Sequence, residues 1–345
     1  MSSLQSSGEF GLIRRIRRHR PPDPDGVVLG IGDDAAAFLP SPGTLTLLTT
    51  DTFVEGFDFD GAFSTWQQIG FKCMAANASD IAAMGGTPRY ALVTLCLPDG
   101  QTLEAVDDLY AGMDRFNEVC RTRIAIIGGD LSGTTGPSVV SITLLGEVAP
   151  NQLLSRSGAR EGDTLCVTGH LGASEAGLRL LQQARAKPEW LPSLDGYAKT
   201  LEKHRTPTPR IREARLLAES GAVHALIDIS DGLSSDALHM AHSSDVGLLI
   251  DTERLPIETE TLGAAAALGV SATELALRSG EEFELLCAVA ADQVSLLSER
   301  LQRATGVPLT PVGTITNSKE GTLRQDATGR QSLVPHGYEH FRVQT

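Results

Sequence analysis

Val139-Val140-Ser141-Ile142-Thr143-Leu144-Leu145-Gly146-Glu147 runs into Val148-Ala149-Pro150-Asn151-Gln152-Leu153-Leu154-Ser155-Arg156-Ser157-Gly158-Ala159-Arg160-Glu161-Gly162, and there the chain changes character. The first stretch alternates and is rich in β-branched residues, the pattern of a half-buried strand. The second is rich in turn formers and arginine. It sets a domain boundary near Pro150, so residues 1–149 and 150–345 read as two domains. A chain of 345 residues is long enough for two separate cores.

Toward the N-terminus, residues 9–16 read as a short helix and 44–50 as a strand ending in Thr49-Thr50-Asp51. Residues 66–84 read as a helix stopped by Gly85-Gly86 and Pro88. A strand over 90–97, a helix over 102–122 and a short strand over 124–127, running into Gly128-Gly129-Asp130, complete this half. Beyond the boundary, 163–169 reads as a strand and 172–186 as a helix. A strand over 226–228 runs into Ser230-Asp231-Gly232, followed by a helix over 233–242 and strands over 247–251 and 284–289. A helix over 292–304 and a strand over 309–315 close the pattern. There is no clean series of βαβ crossovers. The fold class predicted is α+β: two domains, each a mixed or antiparallel sheet with helices packed on one face.

Composition narrows the function. The net charge of -14 argues against nucleic acid or an acidic membrane surface as partner. No apolar run approaches the eighteen or so residues that span a bilayer, and the N-terminus lacks a secretory pattern. The five cysteines are spread out without a CxxC pair, which suits free thiols in a reducing cytoplasm. The basic run Arg14 to Arg20 reads as a helix face that is solvated or paired with acids.

Aspartates recur where apolar segments meet turns: Gly32-Asp33-Asp34, Thr49-Thr50-Asp51, Gly129-Asp130 and Asp228-Ile229-Ser230-Asp231-Gly232. Asp80 stands apart, a carboxylate in a helix of small apolar residues, where turn chemistry does not account for it. Carboxylates that converge repel one another unless cations lie between them. Hard oxygen ligands select Mg²⁺ or Ca²⁺, and Mg²⁺ is typically shared with substrate phosphates. The set points to a multi-metal phosphoryl-transfer site. GxxxxGK[ST], HExxH and GxSxG are all missing from the sequence. Gly30-Ile31-Gly32 imitates a dinucleotide loop, but two acids follow where a pyrophosphate would sit. His239 and His242 are one helical turn apart, a spacing that could share a metal but reads better as a solvated helix face. Gly169 and Gly172 either open a helix toward an anion or form a tight strand-to-helix turn.

Gly30-Ile31-Gly32-Asp33-Asp34-Ala35-Ala36, Thr49-Thr50-Asp51-Thr52-Phe53-Val54-Glu55-Gly56, Asn77-Ala78-Ser79-Asp80-Ile81-Ala82-Ala83-Met84-Gly85 and Ile127-Gly128-Gly129-Asp130 resemble the N-terminal half of thiamine-monophosphate kinases. Leu154-Ser155-Arg156-Ser157-Gly158-Ala159, Ile227-Asp228-Ile229-Ser230-Asp231-Gly232-Leu233, Ser279-Gly280-Glu281-Glu282-Phe283-Glu284-Leu285 and Gly337-Tyr338-Glu339-His340-Phe341 resemble the C-terminal half. The resemblance implies the superfamily of aminoimidazole ribonucleotide synthetase and selenophosphate synthetase. It also implies a homodimer formed by the N-terminal domain, with ATP and several Mg²⁺ ions. The implied reaction converts ATP and thiamine monophosphate to ADP and thiamine diphosphate.

Residue by residue, the resemblance assigns metal ligation to Asp34, Thr49, Thr50, Asp51, Asp80, Asp130, Asp228 and Asp231. It assigns ATP contacts to Gly129, Asp130, Arg156 and Ser230, and substrate contacts to Glu281 and Tyr338. Two departures stand out. Asp58 occupies a position near the substrate where the family commonly has histidine, and Ser279-Gly280-Glu281-Glu282-Phe283-Glu284 replaces Gly-Gly-Glu-Asp-Tyr-Glu. For Asp58 two readings stand, a carboxylate facing the cationic thiazolium ring or a surface loop residue. No covalent nucleophile or general base is expected, because the acceptor phosphate is already ionised. The competing readings are another ATP-dependent activating enzyme of the superfamily and a non-catalytic nucleotide-binding regulator.

Overall fold

The computed structural model describes residues 4–335 and Gly337. The chain forms two compact units, one of residues up to Ile81 with Gly86–Asn151, the other of Ala82–Gly85 with the chain from Gln152 onward.

The first unit opens with helix α1 (Leu4–Arg18), interrupted at Gly8, and a ribbon of β1 (Val27–Leu29) and β2 (Ala37–Phe38). Then come β3 (Leu45–Val54), α2 (Trp66–Ala83), β4 (Thr87–Pro98), α3 (Leu103–Cys120), β5 (Ala125–Thr134) and β6 (Val139–Val148). The long strands form one sheet in the order β3-β6-β4-β5, antiparallel except where β4 meets β5. Alternation does what the sequence predicts: Tyr90, Val93, Leu95 and Leu97 of β4 are buried, while Leu92, Thr94 and Cys96 are only half-buried. Helix α2 is buried along nearly its whole length and crosses α3 at two glycines. A Cβ on Gly70 would overlap the Leu109 carbonyl, and one on Gly112 the Gln67 carbonyl, so only glycine permits this approach. Phe71 and Phe116 meet edge-on beside the crossing, 5.3 Å between centroids. The sheet face that carries Thr50 and Thr52 is open, and Leu48 on it is 68% exposed. The basic run is partly paired with α3, Arg15 with Asp107 and Arg20 with Asp114.

The second unit contains β7 (Thr164–Thr168), α4 (Ala173–Ala186), α5 (Ala198–Arg205), α6 (Ile211–Ser220), β8 (Val223–Ile229) and α7 (Leu233–Ser244). It continues with β9 (Gly247–Asp251), α8 (Thr259–Leu268), α9 (Ala272–Arg278), β10 (Glu284–Val289), α10 (Val294–Thr305), β11 (Leu309–Thr316), β12 (Thr322–Asp326) and β13 (Gly329–Ser332). The sheet order is β13-β12-β9-β11-β7-β10-β8, with β12 and β9 the parallel pair. Leu286, Val167 and Ile227 lie in one row across β10, β7 and β8. They share a core with Leu233, Ala237 and Met240 of α7. No helix among the described residues is long and apolar enough to cross a membrane. All five cysteines are free, and Cys73, Cys166 and Cys287 are buried.

The strands run further than the sequence pattern implies. Thr49-Thr50-Asp51 does not end β3, and Gly128-Gly129-Asp130 lies inside β5 rather than after it. The reason is pairing: all ten residues of β3 face partners on β6, and β4 pairs β5 as far as Thr134. Backbone ladders carry both aspartates through, although their side chains disfavour strands.

Candidate active site

In the first unit the predicted acids divide between the two faces of the sheet. Asp51 shares a row with Ile142 and Val93, both buried, and with Gly129. The next row, Thr52, Ser141, Thr94 and Asp130, belongs to the open face, and Asp130 is exposed. Successive strand residues point to opposite faces, so Asp130 lies across the sheet from Asp51. Thr50 is also on the open face, its hydroxyl donating to the Ile142 carbonyl at 3.1 Å. On the helix side, Thr49 Oγ1 donates to Asp80 Oδ2 at 2.5 Å, tying β3 to α2. Asp58 is half-buried and accepts from Val54 N at 2.8 Å. Two further bonds hold its turn, from Gly56 N to the Phe59 carbonyl and from Asp58 N to the Val54 carbonyl. Asp34 is exposed, in a turn where its N–H donates to Asp33 Oδ1 at 2.8 Å.

Burial, with the nearby carboxylates of Asp80 and Asp58, pushes the Asp51 carboxyl up to about 7. This has a consequence for stability in chelator. The folded chain holds a proton on Asp51 that the unfolded chain, near 3.8, has lost. Stability from this group is present below the unfolded value and falls as pH rises through about 4 to about 7. Melting temperature measured across that window in chelator falls more steeply with pH for the wild type than for Asp51→Asn. Equal slopes would contradict the assignment.

The second unit builds its own acidic turn. Asp228 is buried at the end of β8, and Ser230-Asp231-Gly232 leads into α7. Asp236, in the first turn of α7, accepts from Asp231 N at 3.2 Å and Gly232 N at 3.1 Å. Burial and the neighbouring Asp228 and Asp231 hold its carboxyl well above the ordinary range. Sequence reasoning missed Asp236. Its signal was the spacing, an acid in the helix's first turn five residues after Asp231, able to reach back to the turn's N–H groups. Glu281 lies beside this turn, its N–H donating to the Ser230 carbonyl at 2.8 Å. Gly337 N donates to Ser235 Oγ at 3.2 Å, so Gly337 lies at the same turn. Tyr338 lies outside the described residues. Arg156 is exposed, its carbonyl accepting from Ser244 Oγ at 3.3 Å. His239 and His242 are exposed on α7.

Gly172 precedes α4, whose first-turn N–H groups are taken from within the chain: Ser174 N by Glu282 Oε1 at 3.0 Å and Glu175 N by Ser279 Oγ at 2.9 Å. The anion at this helix end is the protein's own. Behind it, Glu284 is fully buried between Arg210, Lys203 and Thr168, with contacts of 2.6–2.8 Å.

The oxygen donors of Thr49, Asp51 and Asp80 suit a hard dication, which would offset both the burial that raises the Asp51 carboxyl and the lesser repulsion from Asp80 and Asp58. Among the described residues no three His, Cys, Asp or Glu side chains form a ready-made metal cage.

The model for the AIR synthase related protein, N-terminal domain, matches residues 32–148, and that for the C-terminal domain matches residues 160–326. A thiamine-monophosphate kinase of Rhodopirellula baltica is 36% identical over 323 residues, 91% of this chain and 92% of that protein. The chain belongs to the thiamine-monophosphate kinase family. Solved members of that family share its fold. The thiamine-monophosphate kinase from Stenotrophomonas maltophilia K279a matches with TM-score 0.78 at 35% identity, covering 90% of this chain and 94% of that one. AaThiL complexed with AMPPCP and TMP matches with TM-score 0.74 at 30% identity, covering 99% of both chains.

Proposed function

We propose that this chain transfers the γ-phosphoryl group of ATP to thiamine monophosphate, giving ADP and thiamine diphosphate. The likeness to AaThiL complexed with AMPPCP and TMP, over 99% of both chains, carries this reading. The acidic groups of the two units support it. Thr49, Asp51 and Asp80 are the proposed centre of the metal-binding set, and the Thr49–Asp80 hydrogen bond and the raised Asp51 carboxyl support that choice. The family motifs add Asp34, and Thr50 and Asp130 on the open sheet face, in the first unit, and Asp228 and Asp231 in the second. These groups would hold Mg²⁺, which would supply positive charge against the charge that gathers on the leaving oxygen. Gly129, Asp130, Arg156 and Ser230 are the proposed ATP contacts, with Arg156 offering a planar cation to phosphate oxygens. Glu281, Tyr338 and Asp58 are the proposed acceptor contacts. Asp58 would face the cationic ring of thiamine, because beside a phosphate its charge would repel. The acceptor oxygen is already ionised, so transfer is direct and in line, without a phospho-enzyme or a general base. A cytoplasmic homodimer formed through the first unit belongs to the same reading, and the open sheet face around Leu48 supports it.

Mixing the protein with ATP, thiamine monophosphate and millimolar Mg²⁺ tests this. ADP forms only when all three are present and stops in excess chelator. Full turnover in chelator would refute the metal-assisted part.

A further inference from the structure

Glu281 and Phe283 adopt positive φ angles of 55° and 49°, and the residue between them, Glu282, is a fully buried acid. A bulky side chain in the left-handed region is strained, and such a backbone persists only where its surroundings over-determine it. The constraint here is visible. Glu282 Oε1 accepts from Ser279 Oγ at 2.6 Å and from Ser174 N, at the start of α4, at 3.0 Å. Ser279 Oγ in turn accepts from Glu175 N. Glu282 Oε2 has no hydrogen bond, and Lys203 Nζ is 3.8 Å from it. A buried carboxylate with one oxygen left unserved weakens a fold. What Glu282 does secure is the chain on either side of it. Glu281 N donates to the Ser230 carbonyl at 2.8 Å, and Phe283 N to the Ile229 carbonyl at 2.9 Å. Gly280 and Gly232 have no room for a Cβ, being hard against the Ser230 and Arg278 carbonyls. Residues 279–283 therefore lie backbone to backbone along the acidic turn of Asp228 and Asp231.

We propose that Glu282 is a positioning residue: anchored on the first turn of α4, it holds Glu281 and Phe283 in their left-handed backbone, and that backbone sets the 228–232 turn and the Glu281 side chain for the acceptor. The catalytic half of this assignment rests on the kinase reading above; the anchoring half does not.

Hydrogen–deuterium exchange reads the anchoring without any substrate. In Glu282→Ala the amides of Glu281 and Phe283 exchange roughly tenfold faster or more, while amides inside β8 and β10 keep their wild-type rates. Steady-state kinetics read the positioning. In the same variant the KM for thiamine monophosphate rises about tenfold while the KM for ATP stays within about twofold, and Glu282→Gln, which keeps the Oε1 acceptor, stays close to wild type. Should Glu282→Ala not fold, Ser279→Ala removes one donor to Oε1 and speeds exchange at Glu281 by about threefold or more. Unchanged exchange at Glu281 and Phe283 overturns the anchoring. Faster exchange with unchanged KM overturns the positioning role. Faster exchange in a wild-type background inactive on thiamine monophosphate supports the anchoring and refutes the kinase reading instead.

Discussion

Asp51→Asn and Asp80→Asn each lower kcat by about 10²-fold or more, on the scale of losing one preorganised electrostatic contact, while the protein stays folded. The two carboxylates approach each other from β3 and α2, and Thr49 bridges to Asp80. Burial and like charge already push Asp51 up to about 7. Removing a charge from this crowd relieves repulsion, so the metal-free melting temperature holds or rises. An asparagine at position 80 still offers an oxygen to Thr49, which keeps the link between strand and helix. Kinetics and thermal melts on the same preparations separate the outcomes. Near-normal turnover in either variant means that residue is not a metal ligand. Unfolding means its carboxylate is structural.

Glu284→Ala has the opposite profile, a large loss of stability, about 3–5 kcal/mol, from breaking a buried ion pair. Glu284 is fully buried. Burial alone would raise its carboxyl, but Arg210 and Lys203 outweigh it and hold the group down at about 2. Alanine strands the Arg210 guanidinium, 19% exposed, and the Lys203 ammonium, 16% exposed, beside an emptied site. The same group shapes acid stability. Its folded value lies below the ordinary 4.5, so its contribution is complete above that value and drains away as pH falls from about 4.5 toward about 2. Urea unfolding at pH 7 checks the magnitude. A loss below about 1 kcal/mol would show that the cage is no stronger than a surface pair.

Periodicity located most of the long elements because their burial alternates or repeats cleanly, as in β4, β6 and α3. It passed over α5, α6, α8 and α9. Two of these carry local marks: α6 has buried Ile211, Ala214, Leu217 and Ala218 at helical spacing, and α9 begins at a Ser271 cap. Strands β12 and β13 are half-buried or exposed throughout, so no apolar alternation announces them. At the candidate site, Asp80 was legible because a carboxylate among small apolar helix residues needs a reason. The face that Asp51 and Asp130 each adopt was not, since it depends on register with β6 and β4. Asp236 and Glu282 were hidden for another reason. Each works by returning to a backbone N–H, from the next turn or from another element, a geometry no single motif encodes.

Label transfer tests the proposed reaction most directly. The protein is incubated with Mg²⁺, thiamine monophosphate and ATP carrying a labelled γ-phosphate, and the products are separated. The label appears in thiamine diphosphate, one equivalent for each ADP formed, with none retained on the protein. Label released only as inorganic phosphate, or ADP formation indifferent to thiamine monophosphate, would contradict the kinase assignment.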